Sequence, residues 1–263
     1  MQSKEHKLYL KKIRIKSLLV HITQILILLF IIFIWEYLSN KNIINSFIYS
    51  SPSKIVMTII SLYKDNNLFN NIWVTIYETI ISFVLATILG TVIAIILWCS
   101  KFLYRVMEPY LTVLNSLPKV ALGPIIIILC GANIKSIIIM ALLISLIITI
   151  SNVYSGFINT DKNRIKLMNS FHASKWQILK YLIIPYNYHV IINSLKINVG
   201  MSLVGVIMGE FLVSKEGIGY LINYGSQVFN LNIVFAGIVI LLIVSYLMYL
   251  IVLYIEKVLI RNS

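Results

Sequence analysis

Three ionisable residues, Glu78, Lys119 and Lys196, interrupt long apolar stretches of the chain. If each stretch is a helix that crosses a membrane, these residues lie about 15–20 Å along it, near the middle of the bilayer. Burying an unpaired charge at that depth costs several kcal/mol. The pattern therefore predicts either a polar path, in which the two lysines attract an anion, or a structural pair in which Glu78 neutralises one lysine.

Small residues recur on the same stretch as Lys196. Gly205-x-x-x-Gly209 matches a motif that allows membrane helices to approach closely, and Gly200 precedes it. This pattern predicts either a close contact between two copies of the chain beside a path, or packing inside one subunit.

Patterns typical of catalysis or metal binding do not occur in the sequence. The 4 histidines lack metal-binding spacing, no Gly-Lys dipeptide could form a phosphate-binding loop, and Cys99 and Cys130 are not spaced as a redox pair. No pair of carboxylates inside the membrane is predicted. We therefore expect no catalytic residue, no metal, no cofactor and no ATP hydrolysis by this chain itself.

The composition indicates which elements hold these residues. Of 263 residues, 59% are apolar and 12% are charged, against about 25% charged in a typical soluble domain. Charge-free runs at 17–35, 136–160 and 217–255 are close to or longer than the roughly 20 residues that span a bilayer as a helix. These runs lack the alternation of membrane barrel strands.

The predicted fold class is therefore an all-α polytopic membrane protein with about six transmembrane helices. The helices are expected near residues 17–38, 70–99, 106–131, 137–157, 185–213 and 231–255. Pro118 and Pro124 are expected to kink the third helix, and residues 39–69 are expected to form a polar connection with turns. Self-powered secondary transporters are one class of polytopic membrane proteins, and many contain internal repeats. This alternative is disfavoured because no internal repeat is visible in the sequence.

Basic residues predict the orientation of the chain. Most of the 22 lysines and arginines fall on one side, which places both termini and residues 161–182 in the cytoplasm. The expected organisation is a cytoplasmic segment 1–16, a transmembrane domain 17–256 and a cytoplasmic tail 257–263. The basic residues form no regular stripe, so we expect this positively charged chain to associate with the lipid bilayer rather than with nucleic acid.

Residues 161–182 form an amphipathic segment. Met168 and Phe171 recur at helical spacing, and Ser174 stands three residues before Gln177 in a capping-box pattern that predicts a second short helix. The apolar faces of these helices are expected to bind a partner or, alternatively, to lie on the membrane surface.

Four short motifs carry a resemblance to a known family; they are residues 117–124, 172–176 with Pro185, 209–211 and 217–222. In this order, over about residues 49–255, the chain resembles the membrane permeases of binding-protein-dependent ABC importers. It is most similar to the nitrate, sulfonate and taurine type. The resemblance implies a type I ABC importer permease (MetI-like) fold in a bacterial inner (plasma) membrane.

The resemblance also implies partners and site residues. Two permease copies, expected to be a homodimer, surround the path; two ATP-binding ABC subunits grip residues 161–182, the coupling segment; and an extracytoplasmic solute-binding protein delivers the solute. The residues expected to contact the ATPase are Lys166, Met168, Phe171, His172, Ala173, Ser174 and Trp176. Those expected along the path are Glu78, Lys119, Lys196, Gly200, Gly205 and Gly209. Docking of the binding protein is expected at Glu210, Gly217 and Gly219, with a surface salt bridge as the alternative role of Glu210.

Three positions depart from the family pattern. Lys166 stands where the family has glutamate, His172 where it has glycine, and His189 where it has a second proline. Histidine adopts a left-handed turn less readily than glycine. Lysine reverses a charge that would face the ATPase, and we expect a compensating acidic residue in that partner.

The resemblance leaves the solute open between two classes. A small anion of the nitrate, sulfonate or taurine kind is the first expectation. Relatives that carry pyrimidine vitamin precursors or riboflavin provide the alternative.

Overall fold

The computed structural model describes residues 4–65 and 67–261, and within them the chain is helical without strands. The expected crossings correspond to α1 (Lys4–Asn40), α4 (Asn67–Cys99), α5 (Lys101–Ser116) with α6 (Gly123–Cys130), α7 (Ile134–Ile158), α11 (Tyr188–Val213) and α13 (Leu231–Arg261). Five helices are long and apolar enough to span a membrane, or six if α5 and α6 count as one bent span. The predicted fold class is confirmed.

The remaining helices are short connections: α2 (Ser46–Tyr49), α3 (Pro52–Lys64), α8 (Lys162–Ser170), α9 (Lys175–Ile178), α10 (Ile184–Tyr186) and α12 (Ile218–Gln227). The prediction of a polar connection over the residues of α3 was wrong. This helix forms because the Ser51 side chain accepts a hydrogen bond from the Lys54 N–H and Pro52 occupies the first turn.

The third crossing is broken rather than kinked. α5 begins immediately after α4, with Ser100 as its cap, and ends at Ser116. After Pro118 a 3₁₀ turn, Lys119–Leu122, leads into α6, which lies at 92° to α5. The interruption of the third crossing expected at Pro118 and Pro124 is therefore present, but it is a sharp break between two helices rather than a kink, because each proline removes a backbone donor at the turn.

α7 lies between α4 and α11 and forms the centre of the subunit. A Cβ atom on Gly90 of α4 would lie 2.7 Å from the Thr149 Cβ atom of α7, and one on Gly205 of α11 would overlap the backbone of Ala141. Glycines thus bring the helix backbones together where lipid provides no hydrophobic force between helices.

α1 is peripheral. No described side chain in its most apolar stretch is buried, and its contacts are mainly to α2 and α3. Near its end, Glu36 accepts hydrogen bonds from the N–H and the hydroxyl of Ser53, and the Trp35 ring lies 5.6 Å from that of Phe235. The exposed aliphatic side chains of α1 require a lipid environment.

Candidate functional site

The coupling segment folds as its sequence predicts. Asp161 caps α8 by accepting from the Asn163 N–H at 2.8 Å. The capping box of α9 is confirmed: Ser174 N–H donates to Gln177 Oε1 at 2.7 Å, and Gln177 N–H donates to Ser174 Oγ at 3.3 Å. Between the two helices His172 adopts a left-handed conformation with φ 54°, so this histidine takes the turn at which the family pattern has glycine.

One face of the coupling segment is anchored in the subunit. Ile165, Met168 and Ala173 pack against the buried cluster that contains Val153 and Phe157 of α7. Met168 and Ala173 were expected to contact the ATPase. Both side chains are partly covered by the permease itself, so only part of each is left for contact with a partner.

The other face is exposed. The side chains of Phe171 and Trp176 are 73% and 65% exposed, and those of Lys166, His172 and Ser174 also reach the surface. A tryptophan and a phenylalanine beside charged groups form a compact surface of the kind that anchors protein interfaces. The structure thus separates an anchoring face from a face that is free to bind a partner.

A buried hydrogen bond clamps both ends of the coupling segment together. The Asn187 side chain, which follows the Pro185 turn, donates to Thr160 Oγ1 at 2.6 Å and to the Ile183 carbonyl at 2.9 Å. This bond joins the end of α7 to the start of α11 and therefore holds the two ends of the coupling segment close together. The pair was not predicted from the sequence, since two polar residues 27 positions apart leave no periodic signal.

At the opposite end of the subunit, the carboxyl groups of Glu78 on α4 and Glu210 on α11 lie side by side. The two residues are only 2% and 1% exposed. The sequence predicted no carboxylate pair inside the membrane, and a lysine was the expected partner of Glu78. Both expectations were wrong, because the packing of α4 against α11 brings two distant glutamates together.

Glu210 is the centre of a polar network that fastens α12 to the crossings. Its carboxylate accepts from Thr75 Oγ1 at 2.6 Å and from the Gly219 N–H at 2.5 Å. Thr75 Oγ1 accepts in turn from the Ile218 N–H at 2.8 Å. The N–H groups at the start of α12 thus receive the negative charge that a helix N-terminus favours.

The two glycines of this network are required by close approach. A Cβ atom on Gly217, which has φ 107°, would overlap the Glu210 carboxyl, and one on Gly219 would lie 2.8 Å from Glu210 Oε2. The Gly217 N–H donates to Asn71 Oδ1 at 2.7 Å. Glu210, Gly217 and Gly219 were expected to dock the binding protein or, for Glu210, to form a surface salt bridge. All three residues are buried, which contradicts both roles. Their contacts instead hold the start of α12 against α4 and α11.

Lys196 is paired rather than free. Its ammonium lies 2.7 Å from Glu256 Oε2 of α13, with side chains 23% and 17% exposed. Glu256 lies about 8 Å from the end of α13, so the pair is close to the end of the helix that leads to the chain terminus, not at the bilayer midplane as expected. Lys119 lies in the 3₁₀ turn and donates to the Asn115 carbonyl at 3.3 Å.

Substituting Lys196 with methionine is expected to lower the melting temperature of the purified permease. The change leaves the Glu256 carboxylate with no counter-charge in a half-buried site, at a cost on the order of 1–3 kcal/mol. The double variant Lys196→Met with Glu256→Gln should recover most of the loss, because the unpaired charge is then removed too. Equal melting temperatures for the single variant and the parent would show that this pair is not structural.

The three glycines expected along the path, Gly200, Gly205 and Gly209, fall into two groups. Gly205 and Gly209 pack against Ala141 and Ile137 of α7, so they serve packing inside one subunit and do not line a path. Gly200 has open space beside it, with no atom within 4 Å of a Cβ built there. Of the three glycines, Gly200 is the one that keeps a position compatible with a contact between copies.

A cavity of about 500 Å³ lies between α5 and α7, in the half of the subunit that carries the coupling segment. Tyr104, Glu108 and Tyr154 are among its lining residues. The Tyr104 and Tyr154 rings stack with centroids 4.0 Å apart, and the Tyr104 hydroxyl donates to Glu108 Oε1 at 3.0 Å. These residues were not singled out from the sequence, because they belong to two helices whose contact only the fold establishes.

Several known proteins resemble this chain. The riboflavin transport system permease protein RibX of Chloroflexus aurantiacus is 25% identical over 161 residues, 61% of this chain and 60% of RibX. The formylaminopyrimidine transport permease protein ThiX of Halalkalibacterium halodurans is 27% identical over 195 residues, 74% of this chain and 77% of ThiX. The putative aliphatic sulfonates transport permease protein SsuC of Bacillus subtilis is 26% identical over 215 residues, 82% of this chain and 78% of SsuC.

The fold has a counterpart among solved structures. A chain from the inward-facing conformations of the MetNI methionine ABC transporter superposes with a TM-score of 0.64 at 16% identity, covering 74% of this chain and 95% of that chain. This chain spans less than two thirds of the length of RibX, one of the curated relatives that it matches. The family described as binding-protein-dependent transport system inner membrane component matches residues 83–261. Since this match covers most of the chain, the protein belongs to that family of inner membrane transport components.

Proposed function

We propose that this chain is the membrane-spanning permease subunit of an ATP-driven importer and forms the path of a small solute. The observation that carries the proposal is the coupling segment, which exposes Phe171 and Trp176 while its other face is fixed to α7. A fixed amphipathic segment with a free aromatic face suits an external subunit that pushes on it. Family membership supports the same conclusion.

The proposed complex contains two ATP-binding subunits and an extracytoplasmic solute-binding protein. The ATP-binding subunits would contact Phe171, His172 and Trp176, with an acidic side chain opposite Lys166. Both chain termini and the coupling segment would lie in the cytoplasm, as the distribution of basic residues predicts.

Pairing of two permease copies is supported by two features, the exposed residues of α5 and the open position at Gly200 of α11. α5 has no buried residue, although it carries Glu108, Asn115 and other polar groups. Polar side chains at membrane depth are stable against protein or water and not against lipid. We therefore place a second copy and the central path on the exposed side of α5, and the open position at Gly200, in a groove between α11 and α13, offers a further place for contact between copies.

The names of the relatives point to two chemical classes of solute: an organic anion, as the name of SsuC indicates, or a nitrogen heterocycle, as the names of RibX and ThiX indicate. The sequence-based reason to prefer an anion was the pair Lys119 and Lys196. With Lys196 neutralised by Glu256, that reason is weakened.

Uptake into membrane vesicles that contain the assembled complex tests the proposal. Riboflavin, formylaminopyrimidine, taurine and methanesulfonate are supplied in turn with the binding protein, with ATP inside the vesicles. Uptake of one solute should persist when an ionophore abolishes the proton gradient and should stop when ATP is withdrawn. The reverse result, uptake that depends on the proton gradient while ATP is present, would favour a secondary transporter.

A further inference from the structure

The cavity between α5 and α7 contains more polar than apolar side chains. Its lining residues are Tyr104, Glu108, Leu111, Thr112, Asn115, Ser116, Ile150, Ser151, Tyr154, Ser155 and Ile158. The site extends from about 5 to 20 Å along α5 from the start of that helix. A volume of about 500 Å³ lies within the range of sites that hold a small organic molecule.

A second groove shows what the lipid-facing surface looks like. Between α4 and α13 a groove of about 550 Å³ is lined entirely by aliphatic side chains, Phe83 and Met248, and exposes almost no polar surface. The two grooves differ in chemistry although α4, α7 and α13 are all long and apolar enough to span a membrane. Because polar side chains are not stable against lipid, the α5–α7 cavity opens towards water or protein, whereas the α4–α13 groove suits acyl chains.

The α5 wall of the cavity presents hydrogen-bond acceptors. The Thr112 hydroxyl donates to the Glu108 carbonyl at 2.9 Å, and the Ser116 hydroxyl donates to the Thr112 carbonyl at 2.8 Å. The Tyr104 hydroxyl proton is used by the Glu108 carboxylate. Each of these oxygens therefore keeps only lone pairs for a ligand, and an ionised Glu108 can accept but not donate.

This arrangement discriminates between the two solute classes. A sulfonate or nitrate offers only acceptor oxygens and a negative charge, which the Glu108 carboxylate repels. A ring with N–H or amino groups offers the donors that the wall requires. Asn115 and the serines of α7 can supply donors to ring carbonyls or ring nitrogens. Lys119 is close to the cavity through its bond to Asn115, but it is not a lining residue.

The aromatic pair adds a preference for flat ligands. The Tyr104 and Tyr154 rings are stacked face to face, inclined by only 16° with centroids 4.0 Å apart, so the pair offers a flat outer ring face as part of the cavity wall. A planar heterocycle gains dispersion and offset stacking energy on such a wall, and a tetrahedral sulfonate does not. The shape of the cavity wall and its hydrogen-bonding groups thus both favour a nitrogen heterocycle over a sulfonate.

We propose that the α5–α7 cavity is a solute-binding site of the permease and accepts a planar nitrogen heterocycle, uncharged or cationic, with N–H donors. The site is inferred from the stacked tyrosines beside a carboxylate in a polar cavity between α5 and α7. This inference rests on the proposed function, since it names the solute class of the same path.

Binding to the purified complex of permease and ATP-binding subunits in detergent tests the inference. Riboflavin is the first probe, because stacking on tyrosine quenches flavin fluorescence; an aminopyrimidine and taurine are tested by their effect on melting temperature. Quenching by the parent complex should be saturable. Tyr154→Leu and Glu108→Gln should each weaken the affinity for a heterocyclic probe by about tenfold or more, equivalent to about 1.4 kcal/mol.

Matched substitutions outside the cavity keep this experiment specific. Tyr77→Leu, on the exposed side of α4, and Glu36→Gln, on the peripheral α1, should leave the affinity unchanged. No saturable binding of either heterocycle, or taurine binding that is lost in Lys119→Met, would overturn the inference. ATPase activity of the complex that still depends on Trp176 would then show that the proposed function stands without it.

Discussion

Replacing Trp176 with alanine is expected to abolish most ATP-driven uptake while the permease remains folded in the membrane. Trp176 is 65% exposed on the coupling segment, and its removal takes away the largest free apolar side chain of that surface. Central tryptophans of interfaces contribute about 2 kcal/mol or more to binding, which corresponds to more than a tenfold loss of affinity. Co-purification of the ATP-binding subunits and the initial rate of uptake measure the effect.

Trp73→Ala provides the matched control. Trp73 is equally exposed but lies near the start of α4, at the end of the subunit opposite the coupling segment. This variant should retain both the ATP-binding subunits and uptake. If Trp176→Ala binds the subunits and transports at the parental rate, the exposed face of α8 and α9 is not the contact with the ATPase.

The parts of the fold that the sequence predicts are those with local signals. Uninterrupted apolar runs predict the crossings because each backbone group is satisfied inside its own helix. The Ser174 and Gln177 capping box predicts the start of α9 from two residues of one turn, and the structure confirms it. The prediction that the coupling segment lies on the cytoplasmic side rests on the distribution of lysines and arginines alone.

The parts that the sequence did not predict depend on contacts between distant segments. Glu210 reads as a surface residue beside Lys215 and Glu216, and only the packing of α4 shows that Thr75 and Glu78 enclose it. Lys196 reads as a path residue until α13 supplies Glu256 as its partner. Polar residues in membrane helices therefore predict that a partner exists, but not which residue it is.

Turn chemistry and helix capping give the same local signal. The sequence Ser51-Pro52-Ser53 predicts a turn, yet Ser51 caps α3 and Pro52 is the first residue of that helix. A serine that caps a helix and a serine in a turn make the same side-chain bond to the backbone. The outcome is decided by the residues after the serine, and here the apolar face of α3 packs against α13.

Replacing Gly205 with leucine is expected to prevent the permease from folding stably. The glycine lies where α11 touches α7, and any Cβ atom there would overlap the Ala141 backbone. Overpacking a core with extra methyl groups costs about 1–3 kcal/mol, and a backbone overlap leaves no side chain that can move aside. We expect at least a tenfold drop in monodisperse permease on size-exclusion chromatography of a fluorescent fusion, equivalent to about 1.4 kcal/mol.

Gly200→Leu is the matched control on the same helix, five positions earlier. A Cβ atom at Gly200 meets nothing within 4 Å, so this variant should match the parent in the amount and melting temperature of the folded subunit. Folding, not transport, is the quantity compared, since the open position at Gly200 is proposed as a place of contact between copies. If both leucine variants fold equally well, the close approach of α11 to α7 is not what holds the centre of the subunit together. If Gly200→Leu alone dissociates a permease pair, the open face of α11 is the contact between copies.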